Sequence, residues 1–294
     1  MHKITYILGR IDDMQNMIPE YFHKDMRKIM FSWMTHNINN KYMQDGGGKR
    51  HKEDFIQHYK NYKLNIGVDQ GDNDTIITIY TLDEKNPSAC AIIHIMDNIA
   101  SLSGLSHYKN CTSPIILAGK GGGTFILEFV LWFLKKNQEK YKIKMIVLED
   151  ISRKVCPDCD EQTHLATQYF LMYNNTWYGK YGFLPYDKID RKPDKDKIKL
   201  YKKNRDIIKN AKVKDVQLFK YMKKAIIKHN IEGIDLSKLE QNIINLQDKP
   251  LSLVIRALND THTAFCCVFA YITKKIYTEL KLYDFYKGDF YLVI

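Results

Sequence analysis

The residues with the clearest chemical potential are a glycine run that leads directly into an apolar segment. The run consists of Gly119, Lys120, Gly121, Gly122, Gly123 and Thr124. A glycine loop that opens a helix leaves backbone N–H groups unpaired at the positive end of the helix dipole. Such donors bind phosphate, so the sequence predicts an anion site here. A tight turn without a ligand has the same composition and stays open as the alternative.

The spacing of the glycines excludes two nucleotide motifs. A P-loop needs four residues between its glycines and then Gly-Lys-Ser/Thr, whereas Lys120 lies between glycines. A dinucleotide fingerprint needs a third glycine at position 124, which is Thr124. Gly121 and Gly123 instead resemble the pyrophosphate loop of the GNAT superfamily of N-acetyltransferases, Arg/Gln-x-x-Gly-x-Gly/Ala. The chain departs from this pattern at Ala118, where the family has Arg or Gln.

A second segment carries the same resemblance. The residues Tyr178-Gly179-Lys180-Tyr181-Gly182-Phe183 resemble the end of the superfamily's fourth helix, where Tyr-x-x-x-Gly-Phe follows an apolar position. Tyr178 falls where many members have the tyrosine that protonates the departing CoA thiolate. The chain departs from the family at Asn174, where a small residue is usual. A core-packing aromatic is the alternative for Tyr178, because the chain contains 20 tyrosines.

The resemblance implies an acetyl-CoA-dependent N-acetyltransferase that acts on an amine. The loop of residues 119–124 would bind the pyrophosphate, with Lys120 adding a charge, and Tyr178 would be the general acid. Because amines are protonated at neutral pH, the transfer also needs a general base. Glu149 and Asp150, at the end of a predicted central strand, are the candidates, although solvated loop carboxylates would look the same. His107 is a further candidate base, and Glu128 is expected to face a structural partner.

Periodicity and turn residues predict the elements that position these residues. The expected order is a strand at 3–8, helices at 16–37 and 51–62, and strands at 75–82, 89–96 and 99–105 that form an antiparallel meander. The glycine loop and its helix to Lys136 come next, then a strand at 143–148 and a helix at 162–181. This order resembles the GNAT core. The predicted fold class is therefore α+β, a mixed and mostly antiparallel sheet flanked by helices.

The residues beyond 186 exceed a minimal GNAT domain. We predict a GNAT-like acetyl-CoA-binding domain at 1–186 and a basic, mainly helical subdomain at 187–294. Its helical regions are 239–258, where Pro250 ends one segment, and 264–282, and a last strand is expected at 289–294. Residues 187–230 contain sixteen Lys and Arg against six Asp, a net charge of +10 out of +11 for the chain. This segment is either a solvated surface or a site for nucleic acid or another polyanion. Tyr201, Phe219 and Tyr221 would either stack on bases or pack in the core.

Composition narrows the remaining alternatives. No apolar run reaches the roughly 20 residues that span a bilayer, and the first residues lack a signal-peptide pattern, so we expect a soluble cytoplasmic protein without a membrane partner. The six cysteines are irregularly spaced and are expected to be reduced. Cys156, Cys159 and His164 would supply three metal ligands, but without a second Cys-x-x-Cys no metal is predicted. The alternative function is an inactive acetyltransferase-like scaffold that binds a polyanion.

Overall fold

The computed structural model describes residues 50–82, 87–105, 111–112, 122–156, 159, 161–259 and 266–294. The strand predicted at 3–8, the helix predicted at 16–37, His107 and residues 119–121 lie outside these ranges. The described chain forms two compact units. We call residues 50–148 with 293–294 the N-terminal unit, and residues 149–292 the C-terminal unit. This division at Glu149 differs from the domain boundary predicted after residue 186, which stays a prediction about function.

Six strands form the sheet of the N-terminal unit. They are β1 (His51–Tyr59), β2 (Tyr62–Gln70), β3 (Asp74–Tyr80), β4 (Ala89–Met96), β5 (Ile99–Leu105) and β6 (Met145–Asp150). Neighbours in the order β1-β2-β3-β4-β5 are antiparallel, and β5 and β6 are parallel. The predicted antiparallel meander at 75–105 is therefore confirmed. A mostly antiparallel open sheet with helices beside it gives the mixed α and β class that the sequence predicted.

The helix predicted at 51–62 is wrong, because these residues form β1 and the turn into β2. Tyr59 pairs with Tyr62, and Lys60 has a φ of 52°, as a two-residue hairpin turn requires. Most β1 side chains are exposed. The alternation of apolar and polar residues that marks a half-buried strand is therefore missing. The many polar residues are also compatible with a solvent-exposed helix, so the sequence pattern did not distinguish the two. The strand β2 was missed together with its partner.

The helix predicted after the glycine loop is confirmed as α1 (Gly122–Lys136), which is followed by the short α2 (Gln138–Tyr141). Phe125, Phe129 and Phe133 recur every four residues and lie on the buried face. The hairpin turn between β1 and β2 packs on this helix, with the ring centroids of Tyr59 and Phe129 5.4 Å apart. Lys60 Nζ lies 3.3 Å from the carboxylate of Glu128, which confirms the structural partner expected for this residue.

The C-terminal unit is mainly helical. Its helices are α3 (Leu165–Tyr173), α4 (Lys195–Asn210), α5 (Leu218–Lys228), α6 (Leu236–Asn245), α7 (Leu251–Asn259) and α8 (Cys266–Glu279). Its strands are the hairpin β7 (Arg153–Val155) and β8 (Gln162–His164), and β9 (Leu184–Asp187), β10 (Lys192–Pro193) and β11 (Gly288–Val293). Strand β9 pairs antiparallel with both β10 and β11. The break predicted at Pro250 within the helical region 239–258 is confirmed, because α6 ends at Asn245 and α7 begins at Leu251; proline cannot donate a hydrogen bond within a helix.

The expectation of reduced cysteines is wrong for this structure. Three disulfides join Cys90 to Cys111, Cys156 to Cys266, and Cys159 to Cys267. The last two connect residues 110 and 108 positions apart in the sequence. Such pairs come together only through the tertiary fold, so spacing along the chain does not reveal them.

Among the residues that the structure describes, no helix is both long enough and apolar enough to cross a membrane.

Candidate functional site

The end of β6 separates the two carboxylates that the sequence predicted as bases. Glu149 is exposed, whereas Asp150 is only 1% exposed. Successive side chains of a strand point to opposite faces, so the two neighbours cannot act on one substrate group together. Only Asp150 faces the interior of the C-terminal unit.

The Asp150 carboxylate is anchored on one oxygen. Oδ1 accepts hydrogen bonds from the hydroxyl of Ser152 and from its backbone N–H, the latter over 3.2 Å. Oδ2 is buried and accepts no hydrogen bond within the described parts of the chain. Burial raises the pKa of Asp150 above its usual value, as does the nearby charge of Asp284, while the bonds from Ser152 and the proximity of His164 oppose the increase. The result is a carboxyl group with one free oxygen and a pKa moved toward neutrality.

Tyr178 is the third predicted catalytic residue in this unit. The predicted helix at 162–181 is too long, because α3 ends at Tyr173 and Asn174 adopts the left-handed conformation with a φ of 58°. Asparagine tolerates this conformation at a helix end. Tyr178 then lies in the connection that precedes a 3-10 turn at Gly179–Tyr181. It is therefore held by a turn and not by the helix.

The Tyr178 ring is packed among aromatic residues. Its centroid lies 4.8 Å from that of Trp177 and 6.0 Å from that of Phe183, and the side chain is 9% exposed. Burial raises the pKa of Tyr178, and the charge of Asp150 raises it further. The phenol therefore stays protonated at physiological pH. The electrostatic coupling also shows that the structure brings Asp150 and Tyr178 into one neighbourhood.

A histidine–aspartate pair beside Asp150 was missed by the sequence reasoning. His164 Nδ1 lies 3.4 Å from Asp284 Oδ2, and the imidazole stacks on the Tyr286 ring with centroids 3.5 Å apart. Asp284 Oδ1 accepts hydrogen bonds of 3.0 Å from the Thr167 hydroxyl and from the backbone N–H of Tyr286. These bonds fix the carboxylate, and the carboxylate and the stacked ring orient the imidazole. Residues 164 and 284 are too far apart in sequence for spacing to indicate the pair.

His164 does not join the cysteines with which the sequence associated it. The sulfur atoms of Cys156 and Cys159 lie instead near that of Cys267. In the hairpin β7–β8, His164 pairs with Arg153 at one end of the ladder. Cys156 follows the pair of Val155 and Gln162 at the other end. The three-ligand set of Cys156, Cys159 and His164 is therefore not assembled.

The described part of the predicted cofactor loop opens α1 in the N-terminal unit. Gly122, Gly123 and Thr124 form the first turn, which contains no acidic residue, and Lys135 and Lys136 lie in the last turn. The N–H groups of a first helical turn have no partner within the helix. Within this described turn, no side chain with a negative charge offsets the positive dipole end. The described part of the loop thus keeps the features that an anion requires.

The parallel pairing between β5 and β6 stops before either strand ends. Pairing between β5 and β6 runs from Ile99 and Met145 to Leu102 and Leu148. Strand β5 continues to Leu105, and its ladder with β4 shifts register there, so that Ser103 is an extra residue. A bulge bends the strand that carries it and often lies next to a site of function. Glu149 and Asp150 are the residues of β6 that follow its last pair with β5.

Comparisons with known proteins found no relative that supports the resemblance to the GNAT superfamily. No protein-family model matches the sequence, and no curated protein or solved structure matches it either.

Proposed function

We propose that this protein is an acetyl-CoA-dependent N-acetyltransferase. The observation that carries the proposal is the β5–α1–β6 unit: a glycine run leads into α1, which joins two parallel strands whose ladder stops at Leu102 and Leu148. In the superfamily that the sequence resembles, the pyrophosphate loop opens the helix between two such strands. The substrate of that superfamily enters where these strands part. The described turn that opens α1, with Gly122 and Gly123, and the last pair of the ladder, Leu102 and Leu148, support the proposal.

The chemistry is supported separately within the C-terminal unit. Transfer of an acetyl group from a thioester to an amine needs one group that accepts the amine proton and one that protonates the sulfur. Asp150 has a free oxygen and a raised pKa, which suit a base, directly or through His164. Tyr178 has a raised pKa and therefore retains a proton to donate. The acceptor is an amine whose identity the proposal leaves to experiment.

Cofactor binding tests the proposal most directly. We expect calorimetry to detect CoA and acetyl-CoA binding to the wild-type chain, and Gly123→Asp to weaken the affinity at least about tenfold, equivalent to about 1.4 kcal/mol. The new carboxylate would repel the pyrophosphate and block close approach of the backbone.

Gly104→Ala is the matched control for this loop variant. Gly104 lies in β5, and a Cβ atom added there would meet nothing within 4 Å. It should leave the CoA affinity unchanged. Absence of CoA binding to the wild type at millimolar concentration would refute the proposed function.

A second function is favoured by the basic helices of the C-terminal unit. A groove of about 340 Å³ is lined by three lysines, one glutamate and two tyrosines among its eight residues: Lys220, Lys224, Lys275, Glu279, Tyr221 and Tyr271. On α4, Lys202, Lys203 and Arg205 are exposed, while Tyr201 is 2% exposed and belongs to the core. Tyr201 is therefore unavailable to stack on a base. We propose that the groove lysines and the exposed basic residues of α4, together called the basic surface, bind nucleic acid or another polyanion. If the protein is an inactive scaffold and not an enzyme, this binding is its function.

Charge reversal tests this surface. We expect the triple variant Lys202→Glu, Lys203→Glu and Arg205→Glu to weaken binding to duplex DNA. The slope of log affinity against log salt should fall by about 0.9 for each phosphate that the variant no longer neutralises. Fluorescence anisotropy at several salt concentrations measures both effects. The control is the charge reversal of Lys135, Lys136 and Lys140 to glutamate. These residues are also exposed but belong to α1 and α2, so the variant has the same net charge as the first. Equally weakened binding in both triple variants would mean that only net charge matters.

The cytoplasmic location predicted from the sequence remains part of the proposal. It came from the lack of a membrane-length apolar run and of a signal-peptide pattern. Reduced cysteines were expected to agree with it, whereas three disulfides form in the structure. Disulfides of this kind are typical of oxidising compartments. Rapid alkylation of thiols in cells, followed by mass spectrometry of the protein, distinguishes the two cases because only reduced cysteines take up the label.

A further inference from the structure

Four of the six cysteines meet at one place in the C-terminal unit. Cys156, Cys266 and Cys267 are 1%, 6% and 2% exposed, and Cys159 packs against them together with Ala270. We call these four residues the cysteine cluster. The sulfur atoms of Cys156, Cys159 and Cys267 all lie within 4.8 Å of one another, and Cys266 is bonded to Cys156. The four sulfurs therefore occupy one small volume, which two separate structural disulfides would not require.

The two segments that supply the sulfurs have the form of a metal-binding arrangement. Cys156 and Cys159 have the Cys-x-x-Cys spacing of zinc ligands, and the N–H of Cys159 points to the carbonyl of Cys156 across the turn. Cys266 and Cys267 begin α8, whose first turn has no acidic residue. The positive end of a helix dipole favours the thiolate form that a metal requires. One pair from a turn and one from a helix start can surround an ion from two sides.

The distances suit a tetrahedral ion. With Zn–S bonds of about 2.3 Å, the sulfurs of a four-thiolate zinc site lie roughly 3.8 Å apart. The sulfurs of Cys156, Cys159 and Cys267 lie within 4.8 Å of one another. On reduction the sulfurs that are bonded in the two disulfides would separate toward this geometry. The burial of the cluster would exclude competing water ligands.

The segment that carries two of the sulfurs is also held by contacts other than the disulfides. Lys228 Nζ pairs with the carboxylate of Glu161, two residues after Cys159. The N–H of Cys156 donates to the carbonyl of Glu161. These contacts hold this segment independently of the disulfides.

We propose that the cysteine cluster binds one Zn²⁺ through four thiolates when its two disulfides are reduced. A phosphine or a dithiol supplies two electrons to each disulfide, and two protons complete each pair of thiols. Binding of Zn²⁺ then displaces the four thiol protons and forms four Zn–S bonds. Oxidation by a disulfide-forming oxidant reverses the exchange, releases the ion and restores the bonds Cys156–Cys266 and Cys159–Cys267. Both states join the β7–β8 hairpin to α8, so the same connection is kept under reducing and oxidising conditions.

Metal retention by the full-length chain tests the proposal. The protein is reduced with a phosphine, incubated with Zn²⁺, passed through a desalting column and analysed for zinc by mass spectrometry. We expect about one Zn²⁺ per chain, and protection of the four clustered cysteines from alkylation, so that at most the other two take up the label. Co²⁺ should give the intense visible absorption of a tetrahedral thiolate site. Retention of less than about 0.2 Zn²⁺ per chain would refute the site.

Two double variants separate the site from general effects of thiols. Cys159→Ser with Cys267→Ser removes two ligands but leaves the disulfide Cys156–Cys266 to hold the fold under oxidising conditions, where circular dichroism checks it. We expect this variant to retain no Zn²⁺ after reduction. Cys90→Ala with Cys111→Ala removes the third disulfide in the other unit and should leave the zinc content unchanged. Equal zinc in the first variant and the wild type, or unfolding of the reduced wild type despite added Zn²⁺, would overturn the proposal.

Discussion

Tyr178→Phe should lower kcat for acetyl transfer about 100-fold and leave the affinity for CoA unchanged, because it removes the proton donor and keeps the ring. Burial holds the pKa of the phenol above its usual value, so the native group carries a proton at the pH of the assay. The ring contacts with Trp177 and Phe183 do not involve the hydroxyl, and phenylalanine can make them as well. A decrease in kcat without a decrease in affinity would therefore come from the hydroxyl.

The measurement needs an acceptor, which a panel of lysine peptides, polyamines and amino sugars can supply. Release of CoA thiol is followed for the fastest acceptor. Tyr186→Phe is the control, because Tyr186 is 3% exposed in β9 and has no assigned role. Equal kcat in Tyr178→Phe and the wild type would mean that Tyr178 only packs the core. An equal decrease in both variants would indicate a general effect of removing a buried hydroxyl.

Local patterns predicted the elements that have one buried face. The helix α1 and the strands β4 and β5 were predicted within one or two residues, because their apolar residues recur at the helical or strand period. The edge strand β1 has mostly exposed side chains, so it gives no such signal. The end of α3 was misplaced by eight residues, from 181 to 173, because apolar and aromatic residues continue past Asn174 into the turn that holds Tyr178.

The candidate site was only partly predictable for a similar reason. Asp150 follows a strand that the apolar run at 143–148 predicts, and Tyr178 lies in a segment that motif spacing identifies. His164 and Asp284 are 120 residues apart, and their meeting depends on the packing of α3 against the segment after α8. The same holds for Cys156 and Cys266. Sequence spacing indicates contacts within a segment, whereas these contacts are made between segments.

Asp150→Asn should make the protein more stable and less active at neutral pH. The carboxyl pKa in the folded state is raised above the usual 3.8, mainly by burial. The contribution of Asp150 to the free energy of unfolding of the wild type is therefore highest below the pKa that Asp150 has in the unfolded chain. It decreases as the pH rises through the higher pKa of Asp150 in the folded protein, because the buried carboxyl then becomes charged. Asparagine does not ionise, and its amide oxygen can still accept the bonds from Ser152. The difference in unfolding free energy between the variant and the wild type should grow with pH across this window and then level off.

Activity should change in the opposite direction. If Asp150 accepts the amine proton, Asp150→Asn should lower kcat/KM by about 10²- to 10⁴-fold and abolish the acidic limb of its pH profile, because no carboxylate remains to be titrated. His164 and Asp284 are other titratable groups whose charges act on Asp150, and the limb would persist if one of them were its source. Tyr178 stays protonated over this range because its pKa is raised.

Glu149→Gln provides the matched control for this pair of effects. It makes the same change of charge one residue away, on the exposed face of β6. Since Glu149 is in contact with solvent, we expect kcat/KM within about twofold of the wild type and no pH-dependent gain in stability. Urea denaturation between pH 4 and 8 and initial rates over the same range measure both quantities. Higher stability of Asp150→Asn with an unchanged rate would show a buried carboxyl without a catalytic role, whereas a decrease in both would show a structural one.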